Sequence, residues 1–189
     1  MSYASESGNP TLIIIRGVPG SGKSYLAVAL QESIGSEKVI ILDPDKIDQN
    51  GTEYKEFSSS LTAEGVDTKF HPYRYLRLKA YEAITGHKII IWNQAFMDLK
   101  GLQVTTDRLQ TYASEHATQL KMLVVEVEIN ADAARARIAE RVAQGGHDVS
   151  DDAFAGFVSK YESFSEKGYH TVSVSGEGNV AASVSSITQ

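Results

Sequence analysis

Residues 17–24 read GVPGSGKS, and the residues on either side indicate the secondary structure around them. Before them, TLIIIRG at 11–17 is rich in β-branched apolar residues, which favours a short strand. After them, SYLAVALQESIG at 24–35 spaces its apolar residues as an amphipathic helix does. A glycine-rich loop between a strand and a helix can turn successive backbone N–H groups inward around an anion, and the helix N-terminus adds positive potential. The stretch therefore predicts a binding site for an anionic group such as phosphate.

The same eight residues match G-x-x-x-x-G-K-[ST], the pattern of the phosphate-binding loop in P-loop nucleotide-binding proteins. In that loop Lys23 would reach the β- and γ-phosphates of ATP, and the Ser24 hydroxyl would ligate Mg²⁺. The residues predicted to bind the nucleotide are Gly17, Val18, Pro19, Gly20, Ser21, Gly22, Lys23, Ser24 and Tyr25. The alternative is a glycine turn with a chance Lys-Ser pair, and the flanking strand and helix argue against it. The sequence thus predicts a protein that binds ATP together with Mg²⁺.

Composition narrows the class of protein. The chain has 189 residues, of which 42% are hydrophobic and 22% charged, enough for one α/β domain with a sizeable core. Its net charge of −6 argues against a protein that coats nucleic acid nonspecifically, while a nucleic-acid end in a local basic cleft stays open. The absence of cysteine excludes thiolate metal sites. No apolar run approaches about 18 residues and no signal peptide is evident, so we expect a cytoplasmic protein without a membrane partner.

Short apolar strands alternate with helical stretches, which predicts a three-layer αβα sandwich with a mostly parallel five-stranded sheet. Strands are expected at 11–17, 38–43, 87–94, 121–129 and 170–175, and helices at 24–35, 71–86, 104–119, 131–144 and 150–164, with Asn130 capping the fourth helix. A polar stretch without a predicted element covers 44–65. We expect a flexible N-terminus at 1–10, one domain at 11–175, and a polar C-terminal tail at 176–189 with no more than a weak helical turn.

Two acids follow the second predicted strand. Asp43 and Asp45 stand just past its carboxyl end, and in a doubly wound sheet the strand ends and the phosphate loop face one crevice. A carboxylate there can accept the proton of an attacking hydroxyl or hold Mg²⁺. Because Asp-Pro-Asp is also an ordinary turn sequence, the alternative is that both acids only shape the turn at Pro44.

Two arginines share one face of the predicted helix at 131–144. Arg137 and Arg141 are one helical turn apart, and a mobile guanidinium beside a transferring γ-phosphate lowers the barrier by stabilising its charge. The alternative is a solvated face on which the arginines pair with Glu140 and neighbouring acids.

Taken together, these motifs resemble the zeta-toxin and polynucleotide-kinase-like group of P-loop kinases. The resemblance rests on the loop at 17–24, on the D-x-D that follows the second strand, and on R-x-x-x-R before GGHDV at 145–149. It implies that Asp45 is the general base and that Asp43 either binds the metal or contacts a metal ligand. It also implies that Arg137 and Arg141 close over the transferred phosphate as lid residues. It also implies an ATP-dependent kinase that phosphorylates a hydroxyl of a polynucleotide 5′ end or a nucleotide sugar.

Two positions depart from that group. The third position after the predicted base often carries a basic residue there, and here it is Asp48. The third strand usually ends in an acid, whereas this one ends in Trp92, Asn93 and Gln94. Mg²⁺ would then rest on Ser24, phosphate oxygens and Asp43.

The acceptor site is predicted from two segments. Trp92 and Gln94 would contact an acceptor by stacking and hydrogen bonding, although Trp92 fits the core equally well. In HPYRYLRLKAY at 71–81, Arg74 and Arg77 are interleaved with aromatic residues, a pattern that can hold a nucleotide, while the same apolar positions also suit core contacts.

Three functions therefore remain in competition. The leading prediction is a kinase whose acceptor contains a nucleotide. A small-metabolite kinase is the nearest rival, because the D-x-D strand end is also similar to shikimate-kinase-like enzymes. The third is an AAA-type ATP-binding or ATPase module with little transfer activity, for which the atypical end of the third strand leaves room.

Overall fold

Five parallel strands form a single sheet, and the strand that leads into the glycine-rich loop lies at its centre. In the computed structural model, which describes residues 8–97, 99–165 and 167–188, the strands are β1 Thr11–Arg16, β2 Val39–Leu42, β3 Ile89–Asn93, β4 Lys121–Glu128 and β5 Thr171–Ser175. Their order across the sheet is β2-β3-β1-β4-β5, and all four pairings are parallel. This arrangement confirms the predicted parallel five-stranded α/β fold.

Helices cover both faces of the sheet because the side chains of β1 alternate between them. The helices are α1 Lys23–Ile34, α2 Thr52–Ala63, α3 His71–Thr85, α4 Leu99–Glu115, α5 Ala131–Ala143, α6 Asp151–Lys160 and α7 Val180–Thr188. Leu12 and Ile14 pack under α3 and α4, whereas Ile13 and Ile15 pack under α1 and α7. All six residues of β1 are buried, as expected for the central strand of a parallel sheet.

Two helices differ from the sequence prediction. The polar stretch at 44–65 contains α2, and the prediction of only a weak turn after residue 176 is wrong, because α7 packs on α1. The buried Val184 and Ile187, together with the half-buried Val180, recur with helical spacing among small polar residues, so one face of α7 joins the core. The predicted flexible segment at 1–10 lies mostly outside the described residues.

The parallel sheet brings the functional segments to one edge. Every strand ends at that edge, so the loop after β1, the acids after β2 and the polar end of β3 meet there. The register pairs Ile15 with Asn93 and Arg16 with Glu126, directly below the start of the loop. No helix in the described part of the chain is long and apolar enough to cross a bilayer.

A fully buried ion pair joins β1 to β4 immediately before the loop. Arg16 is 0% exposed, and its Nη1 donates to Glu126 Oε1 at 2.5 Å and to the Glu162 carbonyl at 2.7 Å. Its Nε donates to the carbonyl of Phe96 at 3.0 Å, and Glu126 Oε1 also accepts from the backbone N–H of Phe164 at 2.8 Å. The pair therefore fastens the loop after β3 and the segment after α6 to the sheet beneath the site.

We expect Arg16→Met to lower the free energy of unfolding by about 3–5 kcal/mol, since it leaves the Glu126 carboxylate buried without its cation. Urea unfolding measures the change. The matched control is Lys69→Met, which breaks an exposed pair with Asp67 and should cost about 1 kcal/mol or less. Equal effects of the two substitutions would contradict a structural role for the buried pair.

Candidate functional site

The glycine-rich loop keeps its shape through glycine conformations and one apolar anchor. Gly20 and Gly22 have φ of 81° and 96°, in the left-handed region that side chains disfavour. A Cβ at Gly20 would also collide with the carbonyl of Ala134 at the start of α5. Val18, in the loop, packs against Ile138 of α5 and Phe154 of α6. The loop is thus held between the sheet and the α5–α6 pair.

The Lys23 side chain reaches across the loop, and its pKa is strongly lowered. Its Nζ donates to the carbonyl of Val18 at 2.9 Å. Burial lowers the pKa of Lys23 from its ordinary value to about 8; Asp43 and Asp45 oppose that shift, and the positive Arg141 adds to it. Three residues predicted from separate parts of the sequence therefore lie close enough to Lys23 to act on it electrostatically.

The lowered pKa of Lys23 predicts proton uptake when ATP binds. Bound phosphates favour the charged ammonium and raise its pKa, so above pH 8 the free protein is mostly neutral at Lys23 while the complex is charged. By linkage, the contribution of Lys23 to ATP affinity should be flat well below pH 8 and fall as the pH rises above it, with an uptake of ~0.9 proton at pH 9.

Calorimetry in buffers of different ionisation enthalpy measures this uptake at pH 7 and pH 9. The control is Lys23→Arg, whose guanidinium stays charged throughout and should show no uptake. A wild-type protein that takes up no proton at pH 9 would contradict the placement of phosphate against Lys23.

One buried amide connects the loop to the first acid. Asn93 Nδ2 donates to Ser24 Oγ at 2.9 Å and to Asp43 Oδ2 at 2.6 Å, and the backbone N–H of Asp45 donates to Asp43 Oδ1 at 3.0 Å. The Ser24 hydroxyl and the Asp43 carboxylate are hard oxygen ligands of the kind that suits Mg²⁺. Asn93 is not among the site residues predicted from the sequence. The signal that could have identified it is that the third strand ends in amides where the related kinases usually have an acid.

A hollow of about 310 Å³ opens beside the loop, on the side of β5 and α7. Its lining includes Tyr25, Leu26, Arg137, Val174, Gly176 and Val180. Apolar and backbone groups of this kind could hold a flat ring such as a nucleotide base. The sequence prediction included Tyr25 but missed the wall at 174–183, because that wall depends on α7.

The two predicted lid arginines have different partners. Arg137 Nη1 donates to the carbonyl of Gly176 at 2.8 Å, at the hollow, whereas Arg141 Nη2 donates to the carbonyl of His147 at 2.7 Å. Neither pairs with Glu140 or with another acid in the ranges that the structure describes. Arg141 is thus the arginine whose charge acts on Lys23, whereas Arg137 lines the hollow.

The end of β3 is less open than the sequence suggested. Trp92 is 3% exposed, packs in the α3–α4 core next to Phe96, and donates from Nε1 to Gln94 Oε1 at 3.0 Å. The ring is therefore not available to stack on an acceptor. Trp92 is a core residue, which is the alternative that the sequence left open. Gln94 is half-buried at the edge of the crevice.

A positive cluster lies on α3 and α4. Burial lowers the pKa of Arg77, and the neighbouring charges of Arg108 and Arg74 lower it further. Within the described residues none of the three forms an ion pair with an acid. The sequence predicted Arg74 and Arg77 as substrate residues; Arg108, which is more than 30 positions away along the chain, belongs with them only through the packing of α4 on α3.

Comparisons with known proteins agree with this architecture. A family model described as an AAA domain matches residues 12–164, and no curated protein sequence matches the chain. A gluconokinase from Sinorhizobium meliloti 1021 is 17% identical, with a TM-score of 0.56 over 95% of this chain and 90% of that one. Deoxyadenosine kinase from M. mycoides is 16% identical, with a TM-score of 0.52 over 93% and 96%.

A chain of the Pnkp1/Rnl/Hen1 RNA repair complex also resembles this one. It is 17% identical, and the TM-score is 0.62 over 88% of this chain but only 49% of that one. At these identities the likeness to solved structures shows the fold alone.

Proposed function

The chain belongs to the AAA-domain family, and from that premise we propose that it is an ATP-dependent kinase that transfers the γ-phosphate to a hydroxyl of a nucleotide-containing acceptor. The observation that carries the proposal is the convergence at the glycine-rich loop of Lys23, of Ser24 and Asp43 bridged by Asn93, and of Asp45 and Arg141, whose charges act on Lys23. A cation for phosphate, carboxylates for a metal and a proton, and an arginine for transition-state charge are the groups that phosphoryl transfer requires.

Each group then has one role. The base of ATP enters the hollow beside Arg137, the loop amides and Lys23 hold the β- and γ-phosphates, and Ser24 and Asp43 would hold Mg²⁺. When bound, the cation would neutralise charge on the phosphate oxygens. The acceptor oxygen attacks the γ-phosphorus as the bond to the ADP oxygen breaks, and Asp45 accepts the hydroxyl proton. Arg141 stabilises the charge on the transferring group.

The acceptor is proposed from the positive cluster. Because α3 and α4 each run back across a parallel sheet before the next strand, their N-terminal ends lie at the same edge as the loop. Arg74 and Arg77 lie in the N-terminal half of α3, and Arg108, in the middle of α4, is close enough to act on Arg77. The three would neutralise a phosphate of the acceptor, with Gln94 as a further hydrogen-bonding group. A nucleotide sugar or a polynucleotide 5′ end carries such a phosphate.

A small-metabolite kinase is the second candidate. The burial of Trp92 favours it, because the acceptor side of the crevice loses the aromatic surface that would stack on a base. A metabolite acceptor would bind to the positive cluster only if the metabolite itself carried a phosphate.

ADP release with separate acceptor pools tests the proposal. We expect pools of nucleotide sugars or 5′-hydroxyl oligonucleotides to stimulate ADP release, and Arg77→Ala to raise KM for that acceptor more than it lowers kcat. Stimulation by small polyols or sugar acids alone would select the metabolite kinase. ADP release that no pool changes would indicate an ATPase module.

A further inference from the structure

Asn93 occupies a position at which its amide controls two oxygen ligands at once. It is 4% exposed at the end of β3, and both hydrogens of its Nδ2 are used, by Ser24 Oγ at 2.9 Å and Asp43 Oδ2 at 2.6 Å. Ser24 follows β1 and Asp43 follows β2, so one side chain fixes the relative position of groups from three strands. Through Asp43 Oδ1 and the N–H of Asp45, the same connection reaches the proposed base.

The orientation of this amide follows from charge. If the amide were flipped, Asn93 Oδ1 would lie at 2.6 Å from an Asp43 carboxylate oxygen, and two acceptors would face each other without a proton between them. The donor must therefore point toward Asp43. As a consequence, Asn93 Oδ1 is buried with no hydrogen-bond partner among the described residues, which opposes this orientation less than two facing acceptors would oppose the flipped one.

The site has too little negative charge to hold a divalent cation by itself. Counted by formal charge, the two cations Lys23 and Arg141 offset the two carboxylates of Asp43 and Asp45, which act on the same place. No group of three or more His, Cys, Asp or Glu side chains able to hold a metal occurs in the described parts of the chain. An acid at position 93 would add the missing charge, and this chain has a neutral amide there.

We propose that Asn93 is a positioning residue that orients the Ser24 hydroxyl and the Asp43 carboxylate, and that its neutrality makes the site take up Mg²⁺ only together with ATP. The amide keeps both ligands in place without the charge of a second carboxylate. The phosphates then supply the negative charge that the protein lacks, so the cation enters as the metal–nucleotide complex. This inference rests on the proposed function for the binding of ATP at the loop.

Thermal melts of the nucleotide-free protein with MgCl₂ alone test the proposal. The melting temperature of the wild type should not change relative to KCl of the same ionic strength. Asn93→Asp places a carboxylate against Asp43, so it should melt at a lower temperature without metal and be stabilised by Mg²⁺ alone. The control Asn130→Asp adds the same charge at an exposed helix cap and should not respond to Mg²⁺.

A second variant covers the case in which Asn93→Asp does not fold. Asn93→Ala removes both donors, and the ratio of ATP affinity with Mg²⁺ to affinity with EDTA should fall by about 10- to 100-fold relative to the wild type. A purely structural role would lower stability and leave that ratio unchanged.

The outcomes separate this inference from the proposed function. Stabilisation of the wild type by Mg²⁺ alone, a folded Asn93→Asp protein that ignores Mg²⁺, or an unchanged affinity ratio in Asn93→Ala would overturn it. A wild type that does not bind ATP would overturn the proposed function instead, while the MgCl₂ melts of Asn93→Asp would still decide the role of Asn93.

Discussion

Asp45→Asn is expected to slow phosphoryl transfer by about 10²- to 10⁴-fold while ATP affinity stays nearly unchanged. The carboxylate of Asp45 is exposed beyond β2, in a turn that its own backbone N–H makes with Asp43, and its charge acts on Lys23. Asparagine has the same shape and keeps that backbone hydrogen bond, but it cannot accept a proton from the acceptor hydroxyl. Single-turnover transfer and equilibrium ATP binding, measured on the same preparation, separate the two effects.

The control for this prediction is Asp48→Asn, three residues further along the same exposed segment. It removes one negative charge that is not among those acting on Lys23, and it should transfer phosphate at close to the wild-type rate. An inactive Asp43→Asn protein beside a normal Asp45→Asn protein would reverse the two roles. Loss of transfer in both variants, with loss of ATP binding only in Asp43→Asn, would support Asp43 as the metal ligand and Asp45 as the base.

Arg141→Ala should lower the rate of transfer on the order of 10³-fold or more, because an arginine at the γ-phosphate acts mainly in the transition state. Its side chain is exposed, and its hydrogen bond to the His147 carbonyl leaves the rest of the guanidinium free of acid partners in the described chain. An exposed arginine contributes about 1 kcal/mol or less to stability, so thermal melts should change little. Transfer rates and melts together distinguish catalysis from folding.

Two other arginines of α5 serve as controls. Arg135 donates to the Val149 carbonyl and pairs with Asp151, so Arg135→Ala loosens the same 147–151 segment without removing charge next to Lys23. If Arg141 only anchored that segment, both substitutions would have similar effects. Arg137→Ala should instead weaken ATP binding, because Arg137 lies at the hollow beside Gly176.

The fold could be predicted because its signals are local. The β-branched run at 11–16, the glycines of the loop and the Asn130 cap each act within a few residues, and the structure shows a strand, a loop and a capped helix there. The convergence of the acids after β2 on the loop followed from topology, since parallel strands end at one edge. These features needed no knowledge of which helix packs on which.

The remaining site depends on contacts between distant segments. All residues of α7 are small or β-branched, and only its packing on α1 shows that it forms a wall of the hollow. The chemistry of Trp92 suits an acceptor surface and a core equally well. Its burial in the structure shows that it belongs to the core. The bridging role of Asn93 and the membership of Arg108 in the positive cluster likewise exist only once β3 and α4 are in place.

We propose that the γ-phosphate of ATP leaves as the ester of an acceptor hydroxyl, at the crevice between Lys23 and Asp45. Phosphorus NMR of the wild type with Mg²⁺, ATP and the acceptor pool that stimulates ADP release follows that phosphate directly. We expect a phosphomonoester signal to grow as fast as the γ-phosphate signal of ATP decays, and Asp45→Asn to form none on the same timescale. Decay of ATP into inorganic phosphate alone, or an ester formed equally by Asp45→Asn, would contradict it.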